Sequence, residues 1–234
     1  MCRRTRLRVL VLAVGLLVVG CGTASTGPVQ SAVSTPGPAP SAAPAELPGE
    51  LTGLYPYERA ELAVVGVAAD DTLSVRAGPG TEFVQLAELA PLADGFTATG
   101  QNRTLPDRST WVEVQTGAGP GWVNGRFVAQ AGGTDDVTAA LGGPIRAGSM
   151  TELAAAVVEA RLPERGDATV TVVDGPRSGD LDEVVVDVLG LADDAQAGER
   201  LHVFAVRAGG THTARTVEAT VLCARGVTAG GDCV

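Results

Sequence analysis

The segment from Leu73 to Gly80 is the part of the sequence that most constrains the fold. In its letters, LSVRAGPG, apolar and polar residues alternate and then meet Gly-Pro-Gly. A two-residue period is typical of a strand with one buried face. Pro79 fixes its own φ, and the flanking glycines adopt backbone angles that other residues reach only with strain. The sequence therefore predicts a strand that ends in a sharp turn.

Two later segments repeat this pattern. Residues Trp111 to Val114 alternate again, and residues Gly121 to Val128 follow a turn rich in glycine and proline. Several short strands at this spacing favour a β-barrel or a β-sandwich.

The letters LSVRAGPG, WVEV and GWVNGRFV, in this order, resemble the bacterial SH3 domain of cell-envelope proteins. The resemblance implies a small all-β SH3-like barrel over residues 51–130, used for attachment or recognition. Members of that family bind cell-wall peptides, glycans and protein partners. The segment from Gln101 to Thr110 is longer and more polar than the family usually has, which leaves the shape of that hairpin loop open.

A second folded region is predicted over residues 149–234, after a spacer at 131–148 with turns at Gly132–Gly133 and Gly142–Pro144. Ser149 and Glu152 are spaced as a capping box, and Pro163 forbids the helix to continue. Four segments rich in valine or threonine follow: Ala168 to Val173, Glu183 to Leu191, Leu201 to Arg207, and Thr211 to Leu222. We therefore expect two small domains, an SH3-like barrel and then an α+β domain with one helix packed on a four-stranded antiparallel sheet. The second domain loosely resembles the carboxy-terminal domains of actinobacterial-type lipoproteins, and that resemblance implies no activity.

The amino terminus predicts export. Four arginines precede an apolar run from Val9 to Val19, as in a secretory signal peptide over residues 1–20. The residues Val18 to Cys21 resemble a lipobox, which implies that Cys21 carries the lipid and holds the protein on the extracytoplasmic face of the cell membrane. Two or more acyl chains give stable anchoring where one is marginal. The alternative is a secreted protein whose signal happens to end near a cysteine.

Residues 21–50 are predicted to be the lipidated cysteine and a disordered tether. The segment contains six prolines among small and polar residues, with only Glu46 and Glu50 charged. Such a composition lacks the apolar side chains that would offset the entropy lost on ordering.

Charge and cysteine content limit the partners. The chain has a net charge of −10, and removing a signal with four arginines and no acidic residue would make it −14. A protein this acidic is repelled by nucleic acid, so we predict no nucleic-acid partner.

Cys223 and Cys233 remain as an even pair in an oxidising compartment and predict a disulfide. Two cysteines and two distant histidines are too few for a zinc site, and no cofactor is predicted.

The histidines and acidic pairs do not assemble a catalytic set. If Gly209–Gly210 is a two-residue hairpin turn, His212 faces Arg207, and His202 faces Val217 on the opposite side of the strand. The two imidazoles then cannot meet at one metal ion. The acidic residues at 70–71, 135–136, 180–183 and 193–194 are interpreted as solvated turn residues. Of the three classes of function considered, namely a binding module, a scaffold and an enzyme, the sequence supports an enzyme least.

Aromatic residues supply the candidate site. Seven of the eight lie between positions 55 and 127, and aromatic faces with polar neighbours suit sugar or peptide recognition. The predicted ligand contacts are Tyr55, Tyr57, Arg76, Glu82, Trp111 and Trp122. We expect a lipid-anchored protein that binds cell-wall peptide or glycan. The alternative is a scaffold that docks another envelope protein through its acidic carboxy-terminal domain.

Overall fold

The computed structural model describes residues 46–53 and 55–234. The predicted signal peptide, Cys21 and most of the predicted tether lie outside these residues. The chain from Ala45 to Val234 forms one compact unit.

Strands make up most of this unit. In chain order they are β1 (Glu50–Leu51), β2 (Glu61–Val64), β3 (Leu73–Arg76), β4 (Gln85–Leu89), β5 (Phe96–Thr104), β6 (Thr110–Thr116), β7 (Gly119–Asn124), β8 (Val128–Asp136), β9 (Arg146–Ala147), β10 (Thr169–Arg177), β11 (Asp182–Leu189), β12 (Gln196–Ala208) and β13 (Thr211–Cys223). One α-helix, α1 (Met150–Arg161), lies between β9 and β10, and short 3-10 helices occupy Gly125–Phe127 and Thr138–Leu141.

The strands form one continuous sheet. Its order is β10-β11-β12-β13-β8-β2-β5-β6-β7-β3-β4, with β1 paired to β5 and β9 paired to β13. All of these pairs are antiparallel. We call β1 to β7 the N-terminal strands and β9 to β13 the C-terminal strands.

The predicted fold class is therefore wrong. The expectation was an SH3-like barrel followed by a separate α+β domain with a four-stranded sheet, whereas the described chain is nearly all-β, with 13 strands in one antiparallel sheet and a single α-helix. The physical reason lies in β8. Its first residues pair with β2, as Ala63 opposite Ala129, and its later residues pair with β13, as Thr220 opposite Thr134. One strand thus satisfies backbone groups of both regions, and the sheet does not end where the second region begins.

Gly132 and Gly133 lie inside the strand that makes the sheet continuous. The pair was predicted to be a turn, but both residues lie within β8, at an irregularity in its pairing with β13. Gly133 N–H donates to the Gly231 carbonyl at 2.8 Å. A Cβ on Gly132 would clash with that same oxygen. Glycine is present because the carboxy-terminal loop passes against the strand, and not because the chain reverses.

Two main cores lie on this sheet. In the C-terminal region, buried residues of α1, including Leu153 and Val157, pack against Val186, Leu201 and Val203 of the strands. The helix begins as predicted, since Ser149 Oγ accepts a hydrogen bond from Glu152 N at 3.2 Å. The N-terminal core is built by ten buried side chains: Leu62, Val64, Val67, Leu73, Val75, Phe96, Ala98, Val112, Val114 and Val123.

No helix in the described part of the chain is long and apolar enough to cross a membrane.

A buried ion pair joins the two regions. Asp187 of β11 is fully buried, and Arg200 of β12 donates to its two carboxylate oxygens at 2.7 and 2.8 Å. Arg200 also donates to the Val64 carbonyl at 2.7 Å, and Gly66 N–H donates to Asp187 at 2.8 Å. The pair therefore binds backbone groups at the end of β2 as well as its own partner.

The end of the predicted tether is held against β5. Glu50 lies opposite Thr104 in the β1–β5 pair. The Arg103 guanidinium donates to the carbonyls of Leu47 and Gly49 at 2.8 Å and to that of Pro48 at 3.3 Å. Residues 47–51 thus run along the sheet beside the β5–β6 turn.

Cys223 and Cys233 form the predicted disulfide, with their Cα atoms 5.2 Å apart. It closes the carboxy-terminal loop that lies on β8.

Candidate functional site

A groove of about 740 Å³ lies between the N-terminal strands and the segment after β13. It is lined by Tyr55, Pro56, Leu62, Asp107, Arg108, Ser109, Thr110, Val112, Asn124, Gly125, Arg126, Val128, Ala129, Gln130, Cys223 and Ala224. Its apolar lining comes from β2, β6, β8 and the end of β13, and most of its polar lining comes from the β5–β6 turn and the segment after β7. This mixture, an apolar floor with a few convergent polar groups, is typical of a ligand site.

The β5–β6 turn forms one wall. Arg108 N donates to the Leu105 carbonyl at 2.9 Å, and Leu105 N donates to the Ser109 carbonyl at 2.9 Å. Asp107 Oδ1 accepts hydrogen bonds from the Ser109 hydroxyl at 2.7 Å and the Ser109 backbone N–H at 2.8 Å. Those two bonds, the hydroxyl first, hold the pKa of Asp107 below its ordinary value. They also fix the turn in which Arg108 adopts the left-handed φ of 70°.

The short 3-10 helix after β7 forms the part of the wall beside that turn. The Asn124 side chain accepts a hydrogen bond from Arg126 N at 3.1 Å and so caps this helix. The Arg126 guanidinium lies 4.8 Å from the ring centroid of Phe127. A Cβ on Gly125 would lie 3.1 Å from the Thr110 carbonyl oxygen, so the two turns lie side by side.

An aromatic pair stands at the end of the groove. The ring centroids of Tyr55 and Tyr57 are 4.1 Å apart. Hydrogen bonding with Tyr55 raises the pKa of Tyr57, with a smaller contribution from desolvation. Tyr55 lines the groove, whereas Tyr57 does not and is 57% exposed. The neighbouring Pro56 is held in place because its carbonyl accepts a hydrogen bond from the Asn102 side chain at 3.1 Å.

The two tryptophans predicted to contact a ligand are buried. Trp111 is 4% exposed and Trp122 is 3% exposed. Trp111 Nε1 donates to the Ser109 hydroxyl at 3.1 Å, which satisfies its polar edge. Neither side chain lines the groove.

Arg76 and Glu82 lie at another turn. Arg76 Nη1 donates to the carbonyls of Thr81 at 3.0 Å and Phe83 at 2.9 Å, so it holds the turn that follows β3. Glu82 is exposed on that same turn. Of the six predicted contacts, the structure places only Tyr55 in the groove and brings Tyr57 against it.

The histidines lie on opposite faces of the β12–β13 hairpin. His212 pairs with Arg207 as expected, but His202 pairs with Glu218 and not with Val217. The shift arises at an irregularity between Phe204 and Ala205, where β13 has one extra residue. His202 Nε2 is 3.2 Å from Glu183, and its ring centroid is 4.0 Å from that of Phe204.

The acidic residues are not all solvated turn groups. Asp182 lies in β11 and is buried, 3.1 Å from His212 Nε2 and 3.5 Å from Arg207 Nε. Asp135 and Asp136 are exposed but belong to β8. Within residues 46–53 and 55–234, no group of three or more His, Cys, Asp or Glu side chains is placed to hold a metal ion.

Comparison of the chain with protein-family models, with curated proteins and with solved structures finds no match. The resemblance to the bacterial SH3 domain therefore stays a prediction that rests on the three sequence motifs.

The sequence prediction missed Arg108, Asn124 and Arg126. One signal pointed to the first of them, because the segment from Gln101 to Thr110 is unusually long and polar for the motif pattern around it. The other two lie within GWVNGRFV, where nothing in the local pattern sets them apart from other polar strand residues.

Proposed function

We propose that this protein is a lipid-anchored component of the cell envelope and that the groove binds a cell-wall peptide or glycan. The observation that carries the proposal is the groove itself. It is the site at which an aromatic ring, two carboxamides and two guanidinium groups meet an apolar floor. Tyr55 offers a partly exposed aromatic face of the kind that stacks on sugars or peptides.

The anchor is proposed from the sequence. The lipobox-like residues that end at Cys21 precede a proline-rich segment, and such a segment would carry the folded unit away from the membrane toward the wall. The last residues of that segment enter the folded unit beside the β5–β6 turn and then pair with β5. The groove would then open near the point where the tether joins the folded unit.

The test is cosedimentation of the full mature protein with purified cell wall. Tyr55→Ala should lower the affinity for the wall about tenfold, because removing a stacked ring from a binding site costs on the order of 1–3 kcal/mol. Tyr57→Ala is the matched control, since Tyr57 lies beside Tyr55 but outside the groove. Binding that is absent in the unmodified protein, or equally reduced by both variants, would contradict the proposal.

A second candidate function is the docking of another envelope protein by the C-terminal region. An open depression of about 700 Å³ favours it, since its lining includes Val170, Val172 and Pro176 of the edge strand β10. Val170 is 42% exposed there. A specific protein crosslinked to β10 in membranes, together with a failure to bind wall, would favour this function over the first.

A further inference from the structure

Two arginines of the groove have no acidic partner, although the chain is strongly acidic. The described residues include thirteen arginines. Seven of them pair with carboxylates: Arg59, Arg161, Arg165, Arg177, Arg200, Arg207 and Arg225. Arg76 and Arg103 instead donate to backbone carbonyls. Among the described residues, four arginines have a guanidinium group that neither pairs with a carboxylate nor donates to a carbonyl: Arg108, Arg126, Arg146 and Arg215.

The first two of these four face the same groove. Arg108 lies on the β5–β6 turn and Arg126 on the helix after β7, and the pairing of Trp111 with Asn124 in the β6–β7 ladder places these two turns side by side. Asp107 is the one acidic side chain that lines the groove. Its Oδ1 is already engaged by two donors of Ser109 within its own turn. The polar wall of the groove is therefore cationic in a chain whose net charge is −10.

We infer that the groove recognises a carboxylate on its ligand, held by the guanidinium groups of Arg108 and Arg126. This inference rests on the proposed function and names the ligand chemistry at that site. A guanidinium group offers N–H donors in a planar fork that matches a carboxylate, and such charge-assisted hydrogen bonds are among the strongest in proteins. The Asn124 side chain has its oxygen engaged by Arg126 N, which leaves its amide N–H donors for the ligand. Tyr55 supplies an adjacent aromatic face for the rest of the ligand.

The left-handed backbone of Arg108 gives a sharp variant. Arg108→Gly removes the guanidinium and puts at φ 70° the residue that tolerates this angle best. Arg59 is the matched control, because it also has a positive φ, 66°, is exposed, and does not line the groove. We expect Arg108→Gly and Arg126→Gln each to weaken binding to untreated wall about tenfold or more, and Arg59→Gly to leave it unchanged.

The ligand group is identified by treating the wall. One sample is left untreated, a second has its carboxylates capped as methylamides, and a third is stripped of phosphate-linked polymers with hydrofluoric acid. The full mature protein should bind the first and third samples and lose about tenfold or more in affinity for the second. Soluble peptide and glycan fractions of the same wall, used as competitors, then assign the carboxylate to its source.

Each other result contradicts a different claim. Equal binding to capped and untreated wall would refute the carboxylate and leave the proposed function standing. Loss of binding only after phosphate removal would replace the carboxylate by a phosphate. Loss of affinity in Arg59→Gly to the same extent as in Arg108→Gly would show that the effect is not specific to the groove. No binding to untreated wall would refute the proposed function and, with it, this inference.

Discussion

Trp111 and Trp122 alternate along β6 and β7 with Val112 and Val123, whose side chains belong to the N-terminal core. A strand places successive side chains on opposite faces, so the tryptophans lie on the face away from that core. Both are nevertheless almost completely buried. This burial favours a packing role for both side chains.

Replacing Trp122 should therefore cost stability. We expect Trp122→Ala to lower the free energy of unfolding by about 3–5 kcal/mol, the usual cost of truncating a buried aromatic side chain. Urea denaturation of the full mature chain, followed by circular dichroism, measures this loss. Trp122→Phe should recover part of it. A Trp122→Ala protein with an unchanged denaturation midpoint and lost wall binding would instead restore this residue to the list of ligand contacts.

The tryptophans also show what a sequence can predict at the level of single residues. Alternation correctly predicts that Leu73 and Val75 share a buried face. It cannot tell whether the opposite face meets solvent or another part of the chain, because that depends on segments distant in sequence. Which aromatic residues of this region are exposed is thus decided by tertiary packing.

At the level of elements, local signals were reliable only where one segment determines its own structure. Three features follow from short motifs and occur as predicted: the cap at Ser149, the end of α1 before Pro163, and the turn at Gly209–Gly210. The pairing of β8 with both β2 and β13 is not local, since its partners come from opposite ends of the folded chain. The extra residue in β13 likewise shifts the cross-strand partner of His202 by one position. The sequence of the hairpin turn does not predict this bulge.

Three acidic side chains hold turns at the ends of elements. Asp107, Asp136 and Asp193 each accept hydrogen bonds from residues two or three positions ahead. These bonds hold their pKa values below the ordinary value of 3.8: the Ser109 and Thr138 hydroxyls act most at Asp107 and Asp136, and the Gln196 backbone N–H at Asp193. A carboxylate with a lowered folded pKa stabilises the fold above its unfolded pKa, and the contribution is lost as pH falls through the folded pKa.

The resulting prediction is an acid-dependent stability. These three groups should leave the unfolding free energy constant above about pH 5 and lower it as the pH falls below about 4. A variant with all three replaced by alanine should be less stable at neutral pH and lose less of its remaining stability on acidification. Urea midpoints measured from about pH 6 to about pH 2 test this. Identical acid profiles for the variant and the unmodified protein would show that other carboxylates control the transition.

At the scale of the whole molecule, the N-terminal and C-terminal strands are joined by the continuous sheet and by the ion pair Asp187–Arg200. The core around Val65, Ala129 and Leu222 lies where β2, β8 and β13 meet, and Arg200 binds the carbonyl at the end of β2. Few apolar contacts are available at this junction compared with the two large cores. The buried ion pair is thus placed where the N-terminal and C-terminal strands would otherwise separate most easily.

We therefore expect residues 46–234 to unfold in one cooperative transition, with a ratio of calorimetric to van't Hoff enthalpy equal to one.

Arg200→Met should leave Asp187 buried without its partner and lower the unfolding free energy by about 3–5 kcal/mol. It should also raise the ratio of calorimetric to van't Hoff enthalpy above one, because the two regions then unfold separately. Arg161→Met is the matched control. Arg161 also donates two hydrogen bonds to a buried carboxylate, that of Glu199, but this pair lies within the C-terminal region. Its loss should lower stability and keep the ratio at one. A ratio above one in the unmodified protein, or an unchanged ratio in Arg200→Met, would show that this ion pair does not couple the two regions.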